Sequence, residues 1–170
     1  KAPRGEDGRA QADFCGLQAV KLVTAVTGAT GHIGANLVRA LLAEGRSVRV
    51  LVRIDRRAIE GLPVERIEGD INDRKTLARL LSGAETVFHL AGRISIVGAE
   101  SGLIDQTNVQ GVRSVVEACL EHRVRRLVHF STIHAFSSFG DQLIDETAPL
   151  ALGPRQMPYD RSKALGQLAV

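Results

Sequence analysis

Apolar positions along this chain recur with two periods. Short runs that are apolar or alternate are strand-like. Between them lie longer stretches in which apolar residues return every three or four positions, as on a helix face. The first run, Lys21–Val26, breaks at Thr27-Gly28-Ala29-Thr30-Gly31-His32-Ile33-Gly34. It leads into Ile33–Glu44, where Ile33, Leu37, Val38, Leu41 and Leu42 keep helical spacing and Gly45 closes the element. The same pattern predicts strands over Ser47–Val52, Val64–Glu68, Thr86–Leu90 and Arg126–Ser131. Arg53–Gly61 reads as a polar connection with a helical turn. A helix over Arg74–Leu81 has Asp73 as its cap and Gly83 as its stop. A long helix over Gly102–His122 carries Leu103, Val109, Val112, Val115, Val116, Cys119 and Leu120 on one face. Ile133–Pro158 reads as one long loop, and a last helix starts at Tyr159. Strands alternating with helices predict a parallel sheet covered on both faces. Right-handed crossovers give the strand order 3-2-1-4-5, with a ligand crevice between the first and fourth strands.

Composition narrows the class. The chain has 170 residues, 44% of them hydrophobic and 24% charged, which suits one globular domain with a real core. The net charge of +3 is small, and scattered arginines with few aromatics give no nucleic-acid signature. No apolar run reaches the roughly 18 residues of a membrane span. Cys15 and Cys119 lie far apart without metal spacing. Cys119, on an apolar helix face, is expected as a buried free thiol, which points to a reducing, cytoplasmic setting. The five histidines show no HxH or HxxxH spacing, so no metal site is expected. Residues 1–19 are Gly-, Ala- and charge-rich without a period or an apolar signal core, and are expected to be disordered or foreign to the fold. Residue 1 is Lys, the sole Met is Met157 and the chain stops within a helical pattern at Val170, so it reads as a piece of a longer frame.

The glycine turn carries the first chemistry. A strand, a glycine-rich turn and a helix form the context for a dinucleotide pyrophosphate. Gly28 permits the tight turn, Gly31 lets a phosphate approach the backbone, and Gly34 lets helix and strand pack closely. The free N–H groups of the helix start, at Thr30, His32 and Ile33, face the same anion. At the end of the second strand a carboxylate would select NAD through the ribose hydroxyls. Here that position is Val52, followed by Arg53, whose guanidinium suits a 2′-phosphate; Arg56 and Arg57 add charge nearby. NADP is therefore the expected cofactor. NAD is the alternative, with Asp55 as the residue that would bind its ribose.

TGATGHIG at 27–34, Asp70-Ile71, HLAG at 89–92, HFST at 129–132 and YDRSK at 159–163 occur in one order. In these the chain, over residues 20–170, resembles the extended short-chain dehydrogenase/reductase superfamily of the NAD(P)-dependent epimerase/dehydratase type, with the dihydroflavonol reductase-like and 3β-hydroxysteroid dehydrogenase-like branches nearest. The resemblance implies a Rossmann-type, doubly wound three-layer αβα domain, truncated at its C-terminus and lacking the smaller substrate domain. It implies that Asp70 and Ile71 hold the adenine and that Leu90, Ala91 and Gly92 let the ribose approach. Asn108 would anchor the central helix. Thr132 would hold the substrate oxygen, with Ser131 as the alternative one position earlier.

Tyr159 and Lys163 stand four residues apart, hence on one helix face. Tyr159, the only tyrosine, is the expected proton donor, and Lys163 is expected to lower its pKa and to hold the nicotinamide ribose. The function implied is hydride transfer between NADP(H) and a carbonyl or alcohol. The alternatives are a nucleotide-sugar epimerase or dehydratase with bound NAD, and an NADP(H)-binding protein without turnover. A small-molecule substrate and a homodimer of the longer protein are the expected partners. Asp141, Asp145, Glu146 and His134 read as loop residues.

Overall fold

A computed structural model describes residues 22–94, 101–137 and 143–170. The expectations for residues 1–19, and for Cys15 and Asp141, lie outside the described residues. Five strands, β1 (Val23–Thr27), β2 (Ser47–Val52), β3 (Glu65–Glu68), β4 (Ala84–His89) and β5 (Arg126–His129), form one parallel sheet in the order β3-β2-β1-β4-β5. The helices are α1 (His32–Ala43), α2 (Arg74–Leu81), α3 (Ser101–Asp105), α4 (Gly111–Glu121) and α5 (Pro158–Leu168). The parallel sheet and its strand order are those expected from the alternation, and the fold is the Rossmann-type αβα domain that the resemblance implied.

Successive strand residues serve opposite faces, and both faces are apolar, as in a sheet covered on both sides. Ala25, Leu51 and Val87 pack with Leu77 and Leu80 of α2 and Val115 and Cys119 of α4. Val26, Val50 and Val52 pack with Val38 and Leu41 of α1 and with Ile59. Cys119 is a free, buried thiol, and burial pushes its pKa up to about 11. No helix among the described residues is long and apolar enough to cross a membrane.

Three local features depart from the pattern-based reading. The long helix is not uniformly α: Gln106–Gln110, between α3 and α4, is a π turn, and Leu103 and Leu120, expected on its apolar face, stand exposed instead. The loop after β5 is not structureless. Ile133–Ala135 forms a 3₁₀ turn whose start is capped by Thr132, and Phe136 bridges Leu150. Ser137 donates to the Pro149 carbonyl at 2.7 Å and Ala151 to that of Ala135 at 2.8 Å, which folds this segment back on itself. β5 ends at His129, two residues earlier than expected: Phe130 still donates to the His89 carbonyl, and the chain then turns into the 3₁₀ element that Thr132 caps.

Candidate functional site

The C-terminal ends of β1, β2 and β4 open onto a cleft of about 480 Å³. Gly28 stands at its base with φ +70°, a left-handed conformation that glycine adopts at no steric cost. A Cβ there would come within 2.6 Å of the Ala91 nitrogen, so glycine is required twice over. At Gly34 a Cβ would collide with the Gly28 carbonyl and the Ala29 backbone. Gly31 differs. Its φ is −75°, and a Cβ would meet only the Gly28 oxygen, at 3.4 Å. The protein's own packing leaves Gly31 free, and the space it keeps open belongs to the cleft it lines.

The start of α1 lies at the same place. It has no side-chain cap and no acidic residue in its first turn. By contrast, α2 is capped by Asp73, whose carboxylate accepts from Lys75 and Thr76 at 3.1 and 3.2 Å. The first N–H groups of α1 therefore keep their capacity for an anion.

Of the residues assigned to a cofactor, Gly28, Thr30, Gly31, Arg53, Asp70, Ile71, Leu90, Ala91 and Gly92 line this one cleft. His32 and Ile33 begin α1 with exposed side chains outside the lining, and Gly34 is buried behind it. Asp55, the residue weighed for the NAD ribose, lines the cleft as well, and so do Leu51, Ile54 and Thr107, which the pattern did not select for it. Ile54 had a signal: it is a large apolar residue in an otherwise charged connection, and it stands 92% exposed. Thr107 had none, because it enters through the π turn.

The charges at the cleft's rim are sorted by pairing. Asp55 takes two hydrogen bonds from the Arg57 guanidinium, at 2.7 and 3.0 Å, and one from its backbone. These hold the Asp55 carboxyl down to about 2. Arg56 pairs with Glu68 at 2.9 Å. Arg53 has no such partner among the described residues. Asp70 accepts from both the backbone and the side-chain amide of Asn72 through Oδ1, at 2.9 and 3.0 Å, which leaves Oδ2 uncommitted.

Tyr159 and Lys163 lie one strand further on. Pro158, at the first helical position, starts α5. Lys163 is buried, and its Nζ donates to the Phe130 carbonyl at 2.8 Å. Thr132 lies two residues beyond that carbonyl, and its hydroxyl acts on the Tyr159 phenol. The side chains of Thr132, Tyr159 and Lys163 thus gather where β5 ends, whereas that of Ser131 turns to Gln167 at 2.6 Å. One expectation needs correction. Lys163 does not lower the Tyr159 pKa here. Burial raises it, the Thr132 hydroxyl pulls it back, and the Asp160 carboxylate raises it again. Burial alone lowers the Lys163 pKa.

Asn108, on the π turn, ties the parts together. It is buried, accepts from the Arg93 amide at 2.8 Å, and donates to the Arg93 carbonyl and to Ser162 Oγ at 2.9 Å each. Ser162 in turn donates to the Tyr159 carbonyl at 2.7 Å. His134 Nδ1 lies 3.3 Å from Asp160 Oδ1, and its ring stands edge-on to Tyr159 with centroids 6.1 Å apart.

Against known proteins, the model of the NAD dependent epimerase/dehydratase family matches residues 24–170. The chain belongs to this family. Among the proteins it is similar to is the sterol demethylase protein B of Methylococcus capsulatus, 38% identical over 86% of this chain and 45% of the relative. Another is the human 3 beta-hydroxysteroid dehydrogenase type 7, 34% identical over 90% and 45%. A dTDP-glucose 4,6-dehydratase from Streptomyces venezuelae, solved with NAD bound, superimposes with a TM-score of 0.78 at 31% identity, over 87% of this chain and 50% of that one. The chain spans under half the length of the curated relatives it matches.

Proposed function

We propose that this chain forms the cofactor-binding half of an NADP-dependent oxidoreductase that moves hydride between the cofactor and a carbonyl or alcohol. The observation that carries the reading is the gathering of Thr132, Tyr159 and Lys163 one strand away from the glycine-turn cleft. Gly28, Gly31 and the uncapped start of α1 would hold the pyrophosphate. Arg53 would take the 2′-phosphate, Asp70 Oδ2 and Ile71 the adenine, and Leu90–Gly92 the ribose. When bound, the nicotinamide supplies or accepts the hydride. Thr132 orients the substrate oxygen, and Tyr159 delivers a proton to it. Lys163 keeps two of its three ammonium donors after bonding Phe130, enough for a ribose diol.

NADP is favoured over NAD because the rival carboxylate, Asp55, is already held by Arg57, whereas Arg53 is uncommitted. Melting of the chain with NADPH and with NADH tests this. NADPH is expected to give the larger rise, and Arg53→Ala to remove the difference; a larger rise with NADH overturns the assignment. An NAD-holding sugar-nucleotide epimerase or dehydratase is the second reading, favoured by solved neighbours such as the UDP-glucose 4-epimerase of Thermus thermophilus, complexed with NAD. Tyr159→Phe in the longer protein separates enzyme from mere binder. Turnover is expected to fall by about 10² to 10⁴ with cofactor affinity kept.

A further inference from the structure

Tyr159 is not alone at the end of β5. The 3₁₀ turn Ile133–Ala135 places His134 over the first turn of α5, where Asp160 and Tyr159 are neighbours in sequence. One imidazole edge faces the phenol ring, and Nδ1 reaches the carboxylate. The turn is fixed from its start, because the His134 amide donates to Thr132 Oγ1 at 3.3 Å. One short element therefore sets both the hydroxyl and the imidazole that border the phenol. Asp160 is only 21% exposed and His134 is 62% exposed, so the carboxylate is shielded while the imidazole is open to water.

We propose that His134 is a positioning residue that acts on Tyr159 through Asp160, holding the carboxylate so that its charge bears less on the phenol. This rests on the reading of Tyr159 as proton donor, but the effect belongs to the chain itself and is measurable without turnover. Asp160 raises the Tyr159 pKa, so whatever draws off its charge favours ionisation of the phenol. The other charged groups on the elements that meet here are otherwise placed. Lys163 of α5 is bound to the Phe130 carbonyl, and His129 of β5 stacks on His89. Arg161 of α5 and Arg126 of β5 are exposed without an ion pair among the described residues. In the segment leading to α5, Asp145 is held by Thr147, and Glu146 and Arg155 are exposed without an ion pair among the described residues.

The chain has one tyrosine and no tryptophan, so the near-ultraviolet tyrosinate absorbance reports Tyr159 by itself. Alkaline titration of the wild type, His134→Ala, Asp160→Asn and the double variant tests the proposal. At the alkaline midpoint only an Nδ1–H hydrogen bond offsets the carboxylate, so His134→Ala is expected to raise the midpoint by about 0.2 pH unit, and Asp160→Asn, which removes the charge itself, to lower it by about half a pH unit. In the Asp160→Asn background His134→Ala is expected to add nothing. An unchanged midpoint in His134→Ala, or the same shift in both backgrounds, overturns the proposal. Tyrosine fluorescence is the second measurement and uses the wild type: quenching that follows imidazole protonation supports the contact, and a flat response overturns it. If tyrosinate titrates as expected while NADPH leaves the melting point unmoved, the coupling stands and the cofactor reading fails. The reverse result separates them the other way.

Discussion

Two glycines of one turn serve different ends, and substitution separates them. Gly34 is fixed by the protein, since a Cβ there would strike the Gly28 carbonyl. Gly34→Ala is expected to cost about 1–3 kcal/mol through overpacking, read by denaturant unfolding. Gly31 has ordinary φ and room for a Cβ. Gly31→Ala is expected to keep stability within about 0.5 kcal/mol while losing the rise in melting temperature that NADPH gives. Loss of stability without loss of binding would reverse these roles. The spacing of the three glycines suggested separate roles for them, but not the room around each, because spacing does not say which side of a glycine is occupied by the protein and which is open. The sequence set Arg53 against Asp55 without showing that Arg57 holds Asp55, since which carboxylate a guanidinium holds depends on the turn between them. Tyr159 was legible as the lone phenol four residues before a lysine. Its environment was not, because the nearest charge that acts on it comes from its sequence neighbour Asp160 rather than from Lys163.

At the level of elements, the five strands and the helices were readable from period alone, with ends shifted by a residue or two. Strand β2 and helix α2 coincide with their expected spans, since Gly45, Asp73 and Gly83 mark their limits chemically. The π turn was not readable. One extra residue in a helix shifts the apolar stripe by less than the stripe is wide, so the pattern over Gly102–His122 still passes for a single α-helix. That turn presents Asn108 to Arg93 and to Ser162 at once. Asn108→Ala removes the side-chain partner of the part-buried Arg93 amide and carbonyl and one of the two bonds at the Ser162 hydroxyl. It is expected to cost about 2–4 kcal/mol, read by denaturant unfolding. A cost below about 0.5 kcal/mol would show that these groups find other partners. Gly166 of α5 supports the arrangement, because a Cβ there would strike the Asn108 carbonyl.

Across the whole molecule, strand register lines up Thr27, His89 and His129 in one row at the end where the cleft opens. Thr27 Oγ1 and His89 Nδ1 lie 2.7 Å apart, but His89 Nε2 and both nitrogens of His129 are buried without a partner among the described residues. Burial pushes His89 down to about 3 and His129 to about 4, with the Lys163 charge adding to both. Both rings thus stay neutral in the folded chain, while unfolded imidazoles take up protons below about pH 6.5. The unfolded state binds more protons, so stability present near neutrality is expected to decline as pH falls from about 6.5 towards 4. His129→Phe is expected to raise the melting temperature at neutral pH and to flatten this acid decline. An unchanged acid limb would place its origin elsewhere. The same scale gives the π turn a meaning in chain length. A helix turns about 100° per residue, so this inserted residue is a phase shift between the part of the helix that packs on the sheet and the part that meets the cleft. Deleting one residue from 106–110 would let α4 keep its seat on the sheet while Thr107 and Asn108 swing away from the cleft and from Arg93. Insertions and deletions within this helix thus set the orientation of the site.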